Sequence, residues 1–113
     1  MPSNAVILSV LMVMLLISVD VSSSARITLY EHSDHKGWIL TDHTITKDDY
    51  RCFNLGSWGQ DQATSVNTYN DCFILYEHNN CQGAHMKVAP GHGCHRHFPT
   101  CGFNDLTSSY KKC

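Results

Sequence analysis

No stretch of this sequence repeats its apolar residues with a helical period of about 3.6 residues, which argues against an α-helical domain. Charge is scarce as well, with Asp, Glu, Lys and Arg making up 16% of the 113 residues. The 8 Lys and Arg nearly balance the 10 Asp and Glu, and they form neither a basic stripe nor an acidic tail. Nucleic acid is therefore not expected as a partner. No C-x2-C pair is present, which weighs against a structural zinc site. No Asn-x-Ser/Thr sequon offers a site for N-glycosylation. Neither a G-x-S-x-G elbow nor an H-E-x-x-H helix motif occurs, and a non-enzymatic protein is expected.

The sequence does have one long apolar run, from Ala5 to Val19, broken only by Ser9 and Ser18. The run is short of the roughly 20 residues a membrane helix needs, and no second apolar segment or basic stop-transfer flank follows. Asp20 and the small residues Ser22-Ser23-Ser24-Ala25 come next, the layout of a secretory signal peptide. Residues 1–25 are expected to be that leader, and residues 26–113 one small extracellular domain with no membrane span. A membrane anchor is the competing reading.

A domain of this size buries only about 60–65% of its unfolded surface, so its core alone would be marginal. Six cysteines fall within it: Cys52, Cys72, Cys81, Cys94, Cys101 and Cys113. In a small secreted chain they read as three disulfides, each contributing roughly 2–4 kcal/mol. Six cysteines allow about fifteen pairings. If the first and last strands of the second half pair antiparallel, Cys72 meets Cys113, Cys94 closes a small loop with Cys101, and Cys52 is left for Cys81.

Leu29-Tyr30-Glu31-His32 recurs as Leu75-Tyr76-Glu77-His78, and a glycine follows each copy at the same spacing, Gly37 and Gly83. The chain thus reads as one supersecondary unit made twice. Each copy opens with a β-branched or aromatic run, residues 26–30 and 72–76. A turn-forming stretch follows, residues 33–37 and 79–83, and then a second run, residues 38–41 and 85–89. A later strand candidate closes each half, at residues 64–69 and 107–112. Eight short strands in so short a domain predict an all-β, two-sheet sandwich with Greek-key connections. Trp38 and Trp58 are expected in core or hairpin packing.

These repeats resemble the βγ-crystallin family at specific positions. In that family an aromatic residue, often followed by Glu, opens each motif's first hairpin, with a glycine seven residues after the aromatic. Tyr30-Glu31 with Gly37 and Tyr76-Glu77 with Gly83 match this pattern. The family's second signature is two Asp or Asn, two variable residues, Ser or Thr, then Ser. Asn104-Asp105-Leu106-Thr107-Ser108-Ser109 fits it, and Gln60-Asp61-Gln62-Ala63-Thr64-Ser65 fits it except at Gln60. The resemblance covers residues 26–113 as two motifs, about 26–70 and 71–113. It implies that each tyrosine ring folds over its hairpin onto the glycine, leaving His32 and His78 exposed at the turn.

The resemblance also implies calcium as a ligand. Calcium takes six to eight oxygen ligands from carboxylates, carbonyls, hydroxyls and water. Carried over residue by residue, one site draws on Asp105, the Leu106 carbonyl and Ser108, and the other on Asp61, the Gln62 carbonyl and Thr64. A backbone carbonyl near Glu31 or Glu77 adds to each, and the aspartates may be shared between motifs. Few carboxylates imply modest affinity, in the roughly micromolar-to-millimolar range. The plain structural alternative has Asp61 and Asp105 capping turns while Ser65 and Ser109 hydrogen-bond across the hairpins.

His92, His95 and His97 crowd one segment, where imidazoles at this spacing are able to take zinc or copper, although an exposed loop is the favoured reading. The expected protein is a monomeric, secreted calcium-binding module with an extracellular target. One alternative is a secreted bioactive protein, such as a venom component, antimicrobial or effector. Another is a protease inhibitor presenting residues 90–99. A lens-type role fits poorly with a leader.

Overall fold

The computed structural model describes residues 23–113, so residues 1–22, most of the expected leader, lie outside the described residues. β1 (Ser24–His32) and β2 (Lys36–Thr46) form a long antiparallel hairpin, and β4 (Ser65–Asn67) pairs with the other edge of β1. The second sheet has the order β3-β7-β5-β6, with β3 at Phe53–Asn54, β5 at Phe73–His78, β6 at Gln82–Val88 and β7 at Ser109–Lys112. β3 lies between β2 and β4 in the chain yet pairs with β7 of the other half. That crossing ties the two motifs into one Greek-key sandwich.

Alternation along β1 and β5 builds the core. Ala25, Ile27 and Leu29 from β1 and Phe73 and Leu75 from β5 point inward and are buried. Val66, Val88, Phe98, Phe103 and Tyr110 join them, with Leu40, Ile45, Leu55 and Ala63. At the edge of this core His43 of β2 bonds through Nδ1 to the Tyr110 hydroxyl of β7, 2.8 Å away. Phe53 packs edge-on against the His43 ring with a centroid spacing of 4.5 Å, so β2, β3 and β7 meet at one aromatic corner.

Seven strands are present among the described residues rather than the eight expected from the sequence. In the second motif the counterpart of β3 is an irregular segment followed by a 3-10 turn, Phe98–Cys101. The segment still lies along β4: Val66 N–H donates to the His95 carbonyl at 2.7 Å and Phe98 N–H to the Thr64 carbonyl at 2.8 Å. Pro99 has no N–H to extend a ladder, and the Cys94–Cys101 disulfide bends the segment back on itself.

The other bridges follow the strands. Antiparallel pairing of β5 with β7 brings Cys72 and Cys113 to a Cα separation of 5.4 Å, where they bond. Cys52, just before β3, joins Cys81 in the turn between β5 and β6.

Two fully buried serines hold the folded hairpins down. Ser65 Oγ donates to the His32 carbonyl at 2.6 Å and accepts from the His35 N–H at 3.1 Å. Ser109 Oγ does the same with the His78 carbonyl at 2.5 Å and the Cys81 N–H at 2.9 Å. Removing either hydroxyl orphans a carbonyl and an N–H at once. Ser65→Ala and Ser109→Ala should each cost about 1–3 kcal/mol in urea denaturation of the oxidised protein. Losses below a few tenths would show that these bonds do not anchor the hairpins.

Thr107 is the opposite case. Its Oγ1 is buried without a partner among the described residues, and Ala63 stands at the equivalent place in the first motif. Thr107→Val, which keeps the shape and removes the hydroxyl, should leave stability unchanged or raise it by roughly 1–2 kcal/mol in the same assay. A clear loss would mean the hydroxyl has a partner.

Candidate functional site

Both hairpins close through left-handed backbone. Asp34 and His35 have φ 59, Asn80 and Cys81 have φ 62 and 55, and Gly37 and Gly83 have φ 78 and 82. A histidine ring, two residues after the tyrosine, lies against each glycine. A Cβ placed on Gly37 would fall 2.6 Å from His32 Cδ2, and one on Gly83 would fall 2.5 Å from His78 Cδ2. Of the tyrosine rings, Tyr30 stacks on His35 at 5.1 Å and Tyr76 tilts against His85 at 5.7 Å. A shift of register between Tyr30 and His32, repeated between Tyr76 and His78, accompanies the histidine contact. The signal was present in the sequence, because the repeated tetrapeptide ends in His in both copies.

Behind the hairpins lie the Asp61 and Asp105 loops, which grip one another. Asp61 N–H donates to the Thr107 carbonyl and Asp105 N–H to the Ala63 carbonyl, both at 3.1 Å. Each aspartate is itself left-handed, φ 58 and 55, a conformation that Asp tolerates better than most residues. The loops are also bonded to their own hairpins, Thr64 N–H to the Tyr30 carbonyl at 2.9 Å and Ser108 N–H to the Tyr76 carbonyl at 2.8 Å. Eight backbone groups, paired in these four bonds, thus bring both loops and both hairpins to one end of the sandwich.

Two clefts open there, and between them they collect all eight residues expected to bind metal. One, of about 440 Å³, is lined by Asp61, Glu77, Asp105, Leu106 and Ser108. The other, of about 300 Å³, is lined by Glu31, Asp61, Gln62, Thr64 and Asp105. Asp61 and Asp105 border both. In the first cleft Ser108 Oγ donates to Asp61 Oδ1 at 3.2 Å, so a hydroxyl of one motif and a carboxylate of the other converge.

The surrounding amides are engaged with protein groups. Gln60 Nε2 donates to the Leu55 carbonyl at 3.2 Å and to Asn79 Oδ1 at 3.0 Å, which pins the departing residue of the signature to the opposite hairpin. Gln62 Nε2 donates to the Trp58 carbonyl. Glu31 Oε1 sits 3.1 Å from His32 Nε2. Among the described residues no cluster of three or more His, Cys, Asp or Glu side chains is arranged to hold a metal ion. A cation in either cleft would have to draw on hydroxyls and carbonyls beside the aspartates, the mixed oxygen set that suits calcium rather than zinc or copper.

The favoured reading of the histidine-rich segment as a largely exposed loop holds, whereas the tryptophan expectation does not. The histidine-rich segment does not gather into one cluster: His97 Nδ1 is bonded to Ser33 Oγ at 2.7 Å, and His95 Nδ1 to the His92 carbonyl at 2.8 Å. Trp38 and Trp58 are not core residues. They are 67% and 56% exposed and meet edge to face on the surface at 6.2 Å. The register slip between Leu29–Thr41 and Tyr30–Ile39 turns Leu40 inward and leaves Trp38 and Ile39 facing solvent.

No protein-family model matches the sequence, and no curated protein does. Solved structures do match. A βγ-crystallin from an archaeon aligns over 79% of this chain and 98% of its own, with 20% identity and a TM-score of 0.59. A βγ-crystallin from Ciona intestinalis aligns over 78% and 99%, with 19% identity and a TM-score of 0.58. A βγ-crystallin domain from Flavobacterium johnsoniae aligns over 75% and 90%, with 23% identity and a TM-score of 0.55. By these alignments the chain has the βγ-crystallin fold.

Proposed function

We propose that this is a secreted, non-enzymatic module that binds calcium in the two clefts and is stabilised by it. The observation that carries the reading is the crossed loops, which put the Asp61 carboxylate on the Ser108 hydroxyl of the other motif and Asp105 in one cleft with Gln62 and Thr64. The Ser108–Asp61 contact is its clearest instance. Asp61, Leu106 and Ser108 would hold one ion, and Asp105, Gln62 and Thr64 the other, with the hairpins at Glu77 and Glu31 as neighbours. A bound cation supplies positive charge between Asp61 and Asp105, whose carboxylates otherwise repel across both clefts. It also fastens each loop to the opposite motif. At a tenfold excess over Kd a single site would add about 1.4 kcal/mol to stability.

A thermal melt in millimolar calcium against chelator tests this directly: a rise of several degrees is expected, and an unchanged midpoint would sink the proposal. The two sites can also be separated. Asn keeps the left-handed preference of Asp while removing the charge. Asp105→Asn should weaken the cleft containing Gln62, whose side chain is bonded to the Trp58 carbonyl, and should abolish any calcium-induced change in tryptophan fluorescence. Asp61→Asn should leave most of that change intact while lowering the calcium stoichiometry measured by calorimetry. Equal effects of both variants on the fluorescence would refute the crossed assignment.

The leader belongs to the same proposal, and all six cysteines are paired, in keeping with an oxidising compartment. Cleavage after Ala25 would cut β1 inside its ladder, because Ser24 faces Thr46 and the buried Ala25 faces Ile45. A chain beginning at Ser24 is expected to melt higher than one beginning at Arg26. Equal melting temperatures would show that these two residues add nothing to the sheet.

A further inference from the structure

A third cleft, of about 280 Å³, shares no lining residue with the acidic pair. Its walls include His35, Tyr69, His92, His95 and Arg96, and no carboxylate lines it. That composition is the reverse of the calcium end, in a chain whose acidic residues outnumber its Lys and Arg. Arg96 is distinctive among the three arginines. Arg26 is clamped by both oxygens of Asp42, at 2.8 and 2.7 Å, and Arg51 by both oxygens of Asp49, at 2.9 and 2.8 Å. Among the described residues Arg96 has no carboxylate partner, and only its carbonyl is used, by the Asp34 N–H at 2.9 Å. A guanidinium left unpaired beside a cleft keeps its planar fork of donors for a ligand.

The histidines are oriented for the same task. His35 Nε2 lies 2.9 Å from the Val66 carbonyl and His95 Nδ1 lies 2.8 Å from the His92 carbonyl, so each must donate there. The other ring nitrogens, Nδ1 of His35 and Nε2 of His95, have no hydrogen-bond partner among the described residues. Tyr30 stacks on His35, and Arg26 lies over the Tyr69 ring at 4.4 Å but stays paired with Asp42, which leaves Arg96 as the cleft's unpaired guanidinium among the described residues. A cation would meet repulsion from Arg96, and no metal-holding cluster exists among the described residues. The volume equals about nine waters at roughly 30 Å³ each, enough for a tetrahedral oxyanion and part of a group attached to it.

We propose that this cleft binds a tetrahedral oxyanion, free sulfate or phosphate or the sulfate ester of a polysaccharide. The test is an amide NMR titration of the oxidised protein, in chelator so that calcium plays no part, with sodium sulfate, sodium phosphate and a heparin-derived hexasaccharide at constant ionic strength. Saturable shifts confined to the surroundings of His35, Tyr69, His95 and Arg96 are expected. Arg96→Gln should weaken binding tenfold or more while leaving the rest of the spectrum in place. Saturation by the inorganic ions identifies the free oxyanion as sufficient, and saturation by the hexasaccharide alone identifies the sulfate ester. The proposal is overturned by unsaturable shifts with all three ligands, by undiminished affinity in the Arg96 variant, or by zinc shifting these residues where the anions do not.

Discussion

The loop end of this molecule depends on two buried hydroxyls. Ser65 and Ser109 each sit at the start of a strand, and each reaches across to a folded hairpin to donate to one backbone carbonyl and accept from one backbone N–H. A hairpin whose backbone turns left-handed at two successive non-glycine residues carries conformational strain of roughly 1–3 kcal/mol per residue unless its surroundings enforce it. The serine bonds are that enforcement. They also set where each hairpin carbonyl sits relative to the Asp61 and Asp105 loops, so the shape of both acidic clefts follows from them.

A second constraint is the exchange between motifs. β3 leaves its own half to pair with β7, and the Asp61 and Asp105 loops exchange backbone bonds in the same sense. Neither motif can complete its sheet or its cleft alone. A small domain with so little core gains cooperativity from this arrangement, because opening one motif strips partners from the other. The disulfides reinforce the same logic unevenly. Cys52–Cys81 joins the two motifs, whereas Cys72–Cys113 and Cys94–Cys101 lie within the second.

Much of this was legible in the sequence because it is carried by local pattern. The repeated Leu-Tyr-Glu-His with its glycine marks the hairpins, and the Asp-x-x-Ser/Thr-Ser loops mark the strands that hold them. Antiparallel pairing within the second motif pointed to Cys72–Cys113, whereas the other two bridges followed only as the cysteines left over. What was not legible depends on partners distant in the chain. Burial is the default expectation for tryptophan, and only a register slip within β1 and β2 reveals that Trp38 faces outward. The contact of the His32 ring with Gly37 also depends on the irregular pairing at the end of β1. Likewise the eighth strand is absent because Pro99 and the Cys94–Cys101 loop override a pairing the first motif keeps.

That last departure has a consequence for chemistry. Where two copies of a unit remain equivalent, they yield equivalent sites, and the two acidic clefts are such a pair. Where one copy departs, its side chains are released from the duties of the repeat. In the first motif the third strand is spent on pairing with β7 and on the aromatic corner at Phe53. In the second, the segment that replaces it touches β4 through only two backbone bonds and displays His92, His95 and Arg96 beside Tyr69 and His35. The basic cleft therefore arises at the one place where the repeat is broken, and its charge is opposite to that of the repeated sites. The walls of the three clefts differ accordingly, with Asp61 and Asp105 lining two of them and His35, His92, His95 and Arg96 the third.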